Sequence, residues 1–342
     1  MSATHFLRRR VLHVTLLLGL TACADRAPVT PTAPDGSPSA IVIGDPTNGS
    51  WTSSAYTRFR QDLTAVVRVA FVDRWRNMVH ACTGTYLRLG KQLTVLTAAS
   101  CVNTGFQMPD VAFALVTAYN GPGSVEHRKV YAHHVHPWYA PSLNGENNVA
   151  LVIIDSPFSK GVNSFYLSQK DDHSQLDLMV AGYGATGSSS TGALFQQFDI
   201  FGPLPTLRYG EQRVESTCDN FWSCGDVNEP LADQWGKGAL LVADFDRPGV
   251  SAPTNFLCST LGHCQPGLKR EVMPTTLGGQ GSPAIADIYV VGIYNAGSLP
   301  VGAPPTAVSG LYDSYHTFVC VGQWGVNRGC QENYNWIVAT AP

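Results

Sequence analysis

Charge is scarce in this chain. Only 14% of its 342 residues are Asp, Glu, Lys or Arg, and 22 basic against 25 acidic residues leave a net charge of −3. That balance gives the molecule as a whole no attraction to nucleic acid, and none to an anionic membrane surface as its main partner. Long apolar runs are also missing: residues 11–20 (VLHVTLLLGL) are too few to span a bilayer as a permanent helix. No two cysteines have the Cys-x-x-Cys spacing of a zinc site. There is no internal repeat of fixed period, and no segment before the last residues keeps a sustained helical period. Disorder is excluded as well, because 44% of the residues are hydrophobic.

The N-terminus belongs to export rather than to the fold. Arg8, Arg9 and Arg10 precede the apolar run, which ends in Leu20-Thr21-Ala22-Cys23. That tetrapeptide resembles the bacterial lipobox, in which the signal peptide is cut before a Cys whose thiol carries diacylglycerol. It implies a signal peptide over 1–22, lipidation at Cys23, and a lipid-anchored protein at the bacterial cell envelope, on the outer membrane or cell surface. Several acyl chains on one residue hold a protein more firmly than one. Residues 24–39 (ADRAPVTPTAPDGSPS) have the composition of an extended tether, so 23–40 reads as lipidated Cys plus tether.

From residue 41 onward the pattern changes to short β-branched segments between turns. Residues 63–72, 93–98, 111–118, 149–154, 178–182, 239–243 and 288–293 are strand-like, while 331–340 (QENYNWIVAT) fits a short closing helix. Thirty-three glycines and 22 prolines supply the turns. The expected class is all-β, and 41–342 is long enough for two barrels packed together.

Four blocks then carry a resemblance. Cys82-Thr83-Gly84-Thr85 is followed by Leu96-Thr97-Ala98-Ala99-Ser100-Cys101. His136-Pro137-Trp138-Tyr139 is followed by Asn147-Asn148-Val149-Ala150-Leu151. Ala181-Gly182-Tyr183-Gly184 comes next, and Gly278-Gly279-Gln280-Gly281-Ser282-Pro283 precedes Val291-Gly292-Ile293. In this order they resemble the landmarks of the trypsin-like serine peptidases, and Tyr334 with Trp336-Ile337 resembles that family's C-terminal helix. The resemblance implies two packed six-stranded antiparallel barrels with a short C-terminal helix. It places the first barrel at about 41–170, the second at about 171–330 and the closing helix at about 331–340.

The departures from the family pattern bear on function. The family's His base is replaced by Ser100, its Asp by Asn148 and its Ser nucleophile by Gln280. A serine hydroxyl is no base near neutral pH, an amide cannot stabilise an imidazolium, and a glutamine amide is not a nucleophile. In the family's reference enzyme the Asp-to-Asn change alone lowers turnover by about 10⁴. Removing a whole triad from an analogous protease lowers it by about 10⁶. The Asp that precedes the nucleophile in the family, and pairs there with the amine freed by activation, is Gly279 here. Ile41-Val42-Ile43-Gly44 resembles the family's activated N-terminus, yet Ala40 offers no basic residue to cut after. The turn formed by Gly278, Gly279 and Gln280 matches the family's oxyanion turn. Ser282, two residues beyond the expected nucleophile, is the one alternative nucleophile the motif contains.

Nine cysteines less Cys23 leave eight, an even number that suits disulfides in an exported protein. The resemblance implies a Cys82–Cys101 bridge. The other six allow 15 pairings, and closeness in sequence favours Cys218–Cys224, Cys258–Cys264 and Cys320–Cys330. His133, His134 and His136 cluster without a nearby carboxylate set. Strand alternation would put His134 and His136 on one face at a rim, and no metal site is expected there. The reading is thus a non-catalytic serine peptidase homologue without cofactor, metal or nucleic acid. It would meet the membrane only through its anchor and hold a protein or peptide ligand in the former substrate cleft. A working endopeptidase that uses Ser282 is the alternative.

Overall fold

The computed structural model describes residues 41–43, 57–140, 147–170, 176–183, 186–188, 192–194, 206–217, 239–245, 257, 267–268, 272–274, 279–298, 315–323 and 328–342. All lie within one compact unit, Gly36–Pro342. Alternating apolar residues build the first barrel. Strands β2 (Val66–Asp73), β3 (Met78–Tyr86), β4 (Thr94–Thr97), β5 (Val111–Tyr119), β6 (Val125–Val135) and β7 (Ala150–Ile154) close in the order β2-β3-β4-β7-β6-β5. Val67, Val69 and Phe71 face inward with Val95, Val116 and Val152. The opposite sides of β2, β4 and β7 bring Val66, Leu96, Leu151 and Ile153 into a second core. The apolar runs TVLT and ALVII therefore carry no solvent face: every residue of both strands is buried.

That second core is shared. Ile285, Val290, Ile293 and Val319 enter it from a second, barrel-like antiparallel sheet. The sheet has six principal strands: β9 (Asp177–Gly182), β12 (Arg208–Arg213), β14 (Leu240–Asp244), β16 (Pro283–Ala286), β17 (Tyr289–Ser298) and β18 (Tyr315–Cys320). They run β12-β9-β16-β17-β18-β14, with short β13 (Ser216–Thr217) beside β14 and β8 (Tyr166–Leu167) parallel to β17, and the Gln212 amide donates to the Asp244 carbonyl. The expected architecture of two packed antiparallel barrels is the architecture found. Among the described residues no helix is long and apolar enough to cross a membrane.

Two features depart from the expected layout. Ile41–Ile43 (β1) does not join the first barrel. It lies between Thr186–Ser188 (β10) and Val272–Pro274 (β15), in a small sheet that Gly192–Leu194 (β11) completes. Ala99–Gln107 is a helix, α1, where no helical period was legible. Asn, Thr, Gly and a β-branched Val are weak helix formers, and Ala98 caps with no side chain. Tertiary contacts hold the segment instead. Cys101 bonds to Cys82, and Ala99, Cys101 and Val102 are buried in the first-barrel core. Each such cross-link contributes about 3 kcal/mol through the unfolded chain.

The closing helix, α2 (Arg328–Thr340), is pinned to both halves. Cys330 bonds to Cys320, the Asn333 amide donates to the Cys320 carbonyl at 3.0 Å, and Ile337 sits in the shared core. On the other side Trp336 meets the His136 ring edge-on, with centroids 4.8 Å apart. Here the expectation for the histidine cluster fails. Strand β6 ends at Val135 and the chain turns, with the Tyr139 N–H donating to the His136 carbonyl. His136 is therefore buried while His134 is exposed, and His133 stacks on Phe106 at 4.1 Å. Cys218, Cys224, Cys258 and Cys264 lie outside the described residues.

Burial holds two imidazoles neutral: His136 is pushed down to about 4 and His316 to about 3. Both His316 ring nitrogens are buried without a hydrogen-bond partner. A base depressed in the folded state leaves stability intact above its unfolded value near 6.5 and removes it as pH falls through that value. We expect the urea midpoint to drop steeply between pH 6.5 and 4, each ring costing on the order of 3 kcal/mol. His316→Phe should flatten roughly half of that slope; an unchanged slope would contradict the assignment.

Candidate functional site

The matched positions meet at the seam between the two halves. Ser100 stands in the first turn of α1, where β4 ends. Its backbone N–H donates to Asn148 Oδ1 at 2.7 Å, and its hydroxyl is buried with no hydrogen-bond partner. Asn148, only 5% exposed, sits just ahead of β7. Its Nδ2 donates to Asn295 Oδ1 of β17 at 2.8 Å, and Asn295 Nδ2 donates to Thr317 Oγ1 of β18 at 3.2 Å. A continuous polar chain thus runs from the first barrel through the second sheet. Its links are neutral–neutral bonds, each worth about 1 kcal/mol net but costly to break where the atoms are buried.

The turn before β16 is fixed by backbone contacts. Thr83 N–H donates to the Gln280 carbonyl at 3.1 Å, Ser282 N–H to the Gly279 carbonyl at 2.8 Å, and Gly281 N–H to the Tyr294 carbonyl at 3.1 Å. Gly281 has φ +82°, and a Cβ there would come within 2.4 Å of the Thr83 carbonyl and Thr97 Oγ1. Only glycine fits, on conformation and on space alike. The same close approach sets Gly281 beside Ala98, the residue ahead of α1. Gly278 lies outside the described residues, which leaves the oxyanion turn described at Gly279 and Gln280 alone.

Ser282 faces the wrong way for a nucleophile. It is fully buried, and its Oγ lies 2.2 Å from where a Cβ on Gly182 would stand. No substrate carbonyl can reach a hydroxyl enclosed between two strands. The Ser100, Asn148, Asn295, Thr317 and Gln280 side chains contain no group that titrates near neutral pH. The arrangement can donate and accept hydrogen bonds, but it holds neither a base nor an activated nucleophile.

His80, Cys82 and Cys101 form the only grouping of potential metal ligands among the described residues. Both sulfurs are already joined in a 2.07 Å disulfide, so their lone thiolate chemistry is spent. Asn295, Thr317 and Thr83 were missed in the sequence. Asn295 was within reach of the motif, because it follows the Val291-Gly292-Ile293 block by two residues. Thr83 lay inside the first block, but its bond to residue 280 crosses the two halves and leaves no local signal.

Residues 60–200 match the family model described as Trypsin, a span that contains Ser100 and Asn148. Among solved structures, neuropsin, a serine protease from mouse brain, superposes with a TM-score of 0.51 at 14% identity. It covers 84% of this chain and 99% of its own. HL collagenase matches with a TM-score of 0.47 at 15% identity, over 82% of this chain and 95% of its own. No curated protein sequence matches. The fold is trypsin-like.

An Asp at 148 would set a carboxylate in this buried seam with no imidazolium to balance it. Burial raises the folded value of such a group, so its penalty is absent below about pH 3.9 and grows as pH rises through it. We expect Asn148→Asp to cost about 2–3 kcal/mol at pH 7 and almost nothing at pH 3.5. Equal stability of the variant and the parent at pH 7 would show that the seam tolerates the charge.

Proposed function

We propose that this trypsin-like domain is a non-catalytic serine protease homologue that works by binding. In this reading it is held at a bacterial cell envelope by acylation of Cys23, with 1–22 removed, 23–40 as tether and 41–342 as the folded domain. The neutral chain Ser100–Asn148–Asn295–Thr317 supports it most directly. A protease needs a titrating base at that seam, and here every link is an amide, a hydroxyl or a backbone N–H. Replacement of the activation Asp by Gly279, together with Ala40 ahead of Ile41, agrees with a protein that has no catalytic state to switch on.

The ligand class proposed is an extended polypeptide or an exposed protein loop at the former substrate cleft. The segments around Cys218 and Cys258, which lie outside the described residues, are the contact surface we assign to it. The endopeptidase alternative would need Ser282 to reach solvent, and its burial speaks against it.

The exported chain, incubated with a broad peptide library, should give no cleavage while retaining a subset of peptides. Gln280→Trp should weaken retention about tenfold or more by filling the turn. Cleavage that disappears in Ser282→Ala would overturn the binding reading.

A further inference from the structure

The hairpin joining β2 and β3 ends in Asp73-Arg74-Trp75-Arg76-Asn77, and its tip is built to stay extended. Asp73 is buried and accepts from the backbone N–H groups of Trp75 (2.8 Å) and Asn77 (2.7 Å) and from the Asn77 amide (3.0 Å). Arg76 adopts φ +70° to complete the turn. Trp75 is left 61% exposed with the Arg74 guanidinium stacked 4.1 Å over its ring, and Arg76 is exposed beside it. An indole raised on a rigid turn and flanked by two cations is no product of core packing.

A second aromatic stands close by. Val72 pairs with Phe113 of β5, and Leu115 of the same strand pairs with Lys129 of β6. Tyr131, at a register shift between Val130 and Ala132, lies on the same outward side as Lys129 and is 82% exposed. Tyr131 and Lys129 thus lie two strands from the end of β2, about 10 Å to the side. Arg74, Arg76 and Lys129 are opposed at this rim by exposed Asp110 and by exposed Asp155, whose N–H donates to the Lys129 carbonyl at 3.0 Å, while the Asp73 carboxylate is enclosed by the turn.

We propose that this tip, with Tyr131 and Lys129, seats the domain on an anionic lipid surface. Exposed Trp and Tyr suit the headgroup region, and stacked or adjacent Arg complements lipid phosphate. The inference rests on the envelope anchoring proposed above, and it replaces contact through the anchor alone with two points of contact. A tether over 23–40 reaches up to about 60 Å, so the anchor by itself fixes no orientation. The tip supplies one, and it leaves the seam clear, because Thr83 lies five residues along β3 from Met78, about 16 Å.

The test uses the exported chain with its own N-terminus, whose mass reports acylation, on vesicles of brominated phosphatidylglycerol and phosphatidylcholine. The chain has seven tryptophans, and the difference between the parent and Trp75→Phe isolates one of them. We expect quenching of that component on anionic vesicles. The Arg74→Gln/Arg76→Gln pair should shift the contact equilibrium roughly thirtyfold toward the free state. Quenching without acylation would sink the anchor and keep the contact. An acylated chain whose quenching is the same in Trp75→Phe overturns the contact and keeps the anchor, as would a tip that engages a protein instead.

Discussion

The Asn148 side chain is the hinge on which this seam depends. An amide carries an acceptor and a donor on one carbon, and both are spent: Oδ1 takes the N–H of Ser100, and Nδ2 gives to Asn295. A carboxylate could accept from both sides but could donate to neither. With Asn295 Nδ2 given to Thr317, its Oδ1 is left as an acceptor, and the two asparagines suit each other as a pair. The Ser100 backbone is therefore held by Asn148, while its side chain offers no base near neutral pH.

The seam is stable because its surroundings are held independently of it. Strands β4 and β7 have no wet face, so the residues at their ends, Ser100 and Asn148, are delivered by a core rather than by loops. α2 spans the two halves through the Cys320–Cys330 bond and the Trp336–His136 contact. On the proposed reading, a fold secured this way keeps its shape without catalytic groups at the seam.

Much of this architecture is legible in the sequence alone. Strand positions such as 149–154 and 178–182 are short apolar runs whose meaning does not depend on partners, and both are strands here. The helix at Ala99–Gln107 was not legible, because a disulfide and core burial outweigh its poor propensity. His136 was misplaced because period-two reasoning holds only while a strand continues, and this one stops at Val135. The role of Asn295 emerged only once β17 was set against the first barrel. Long-range hydrogen bonds between residues nearly 150 positions apart leave no mark in spacing.

Whether the site is chemically silent can be asked of the protein directly. The exported chain would be treated with a fluorophosphonate and every modified side chain mapped by mass spectrometry. A neutral seam with Ser282 enclosed predicts no stoichiometric adduct on any serine, Ser100 and Ser282 included. Stoichiometric labelling at Ser282, lost on denaturation, would mean that the serine is exposed and activated, and the account of a fold kept without its chemistry would be wrong.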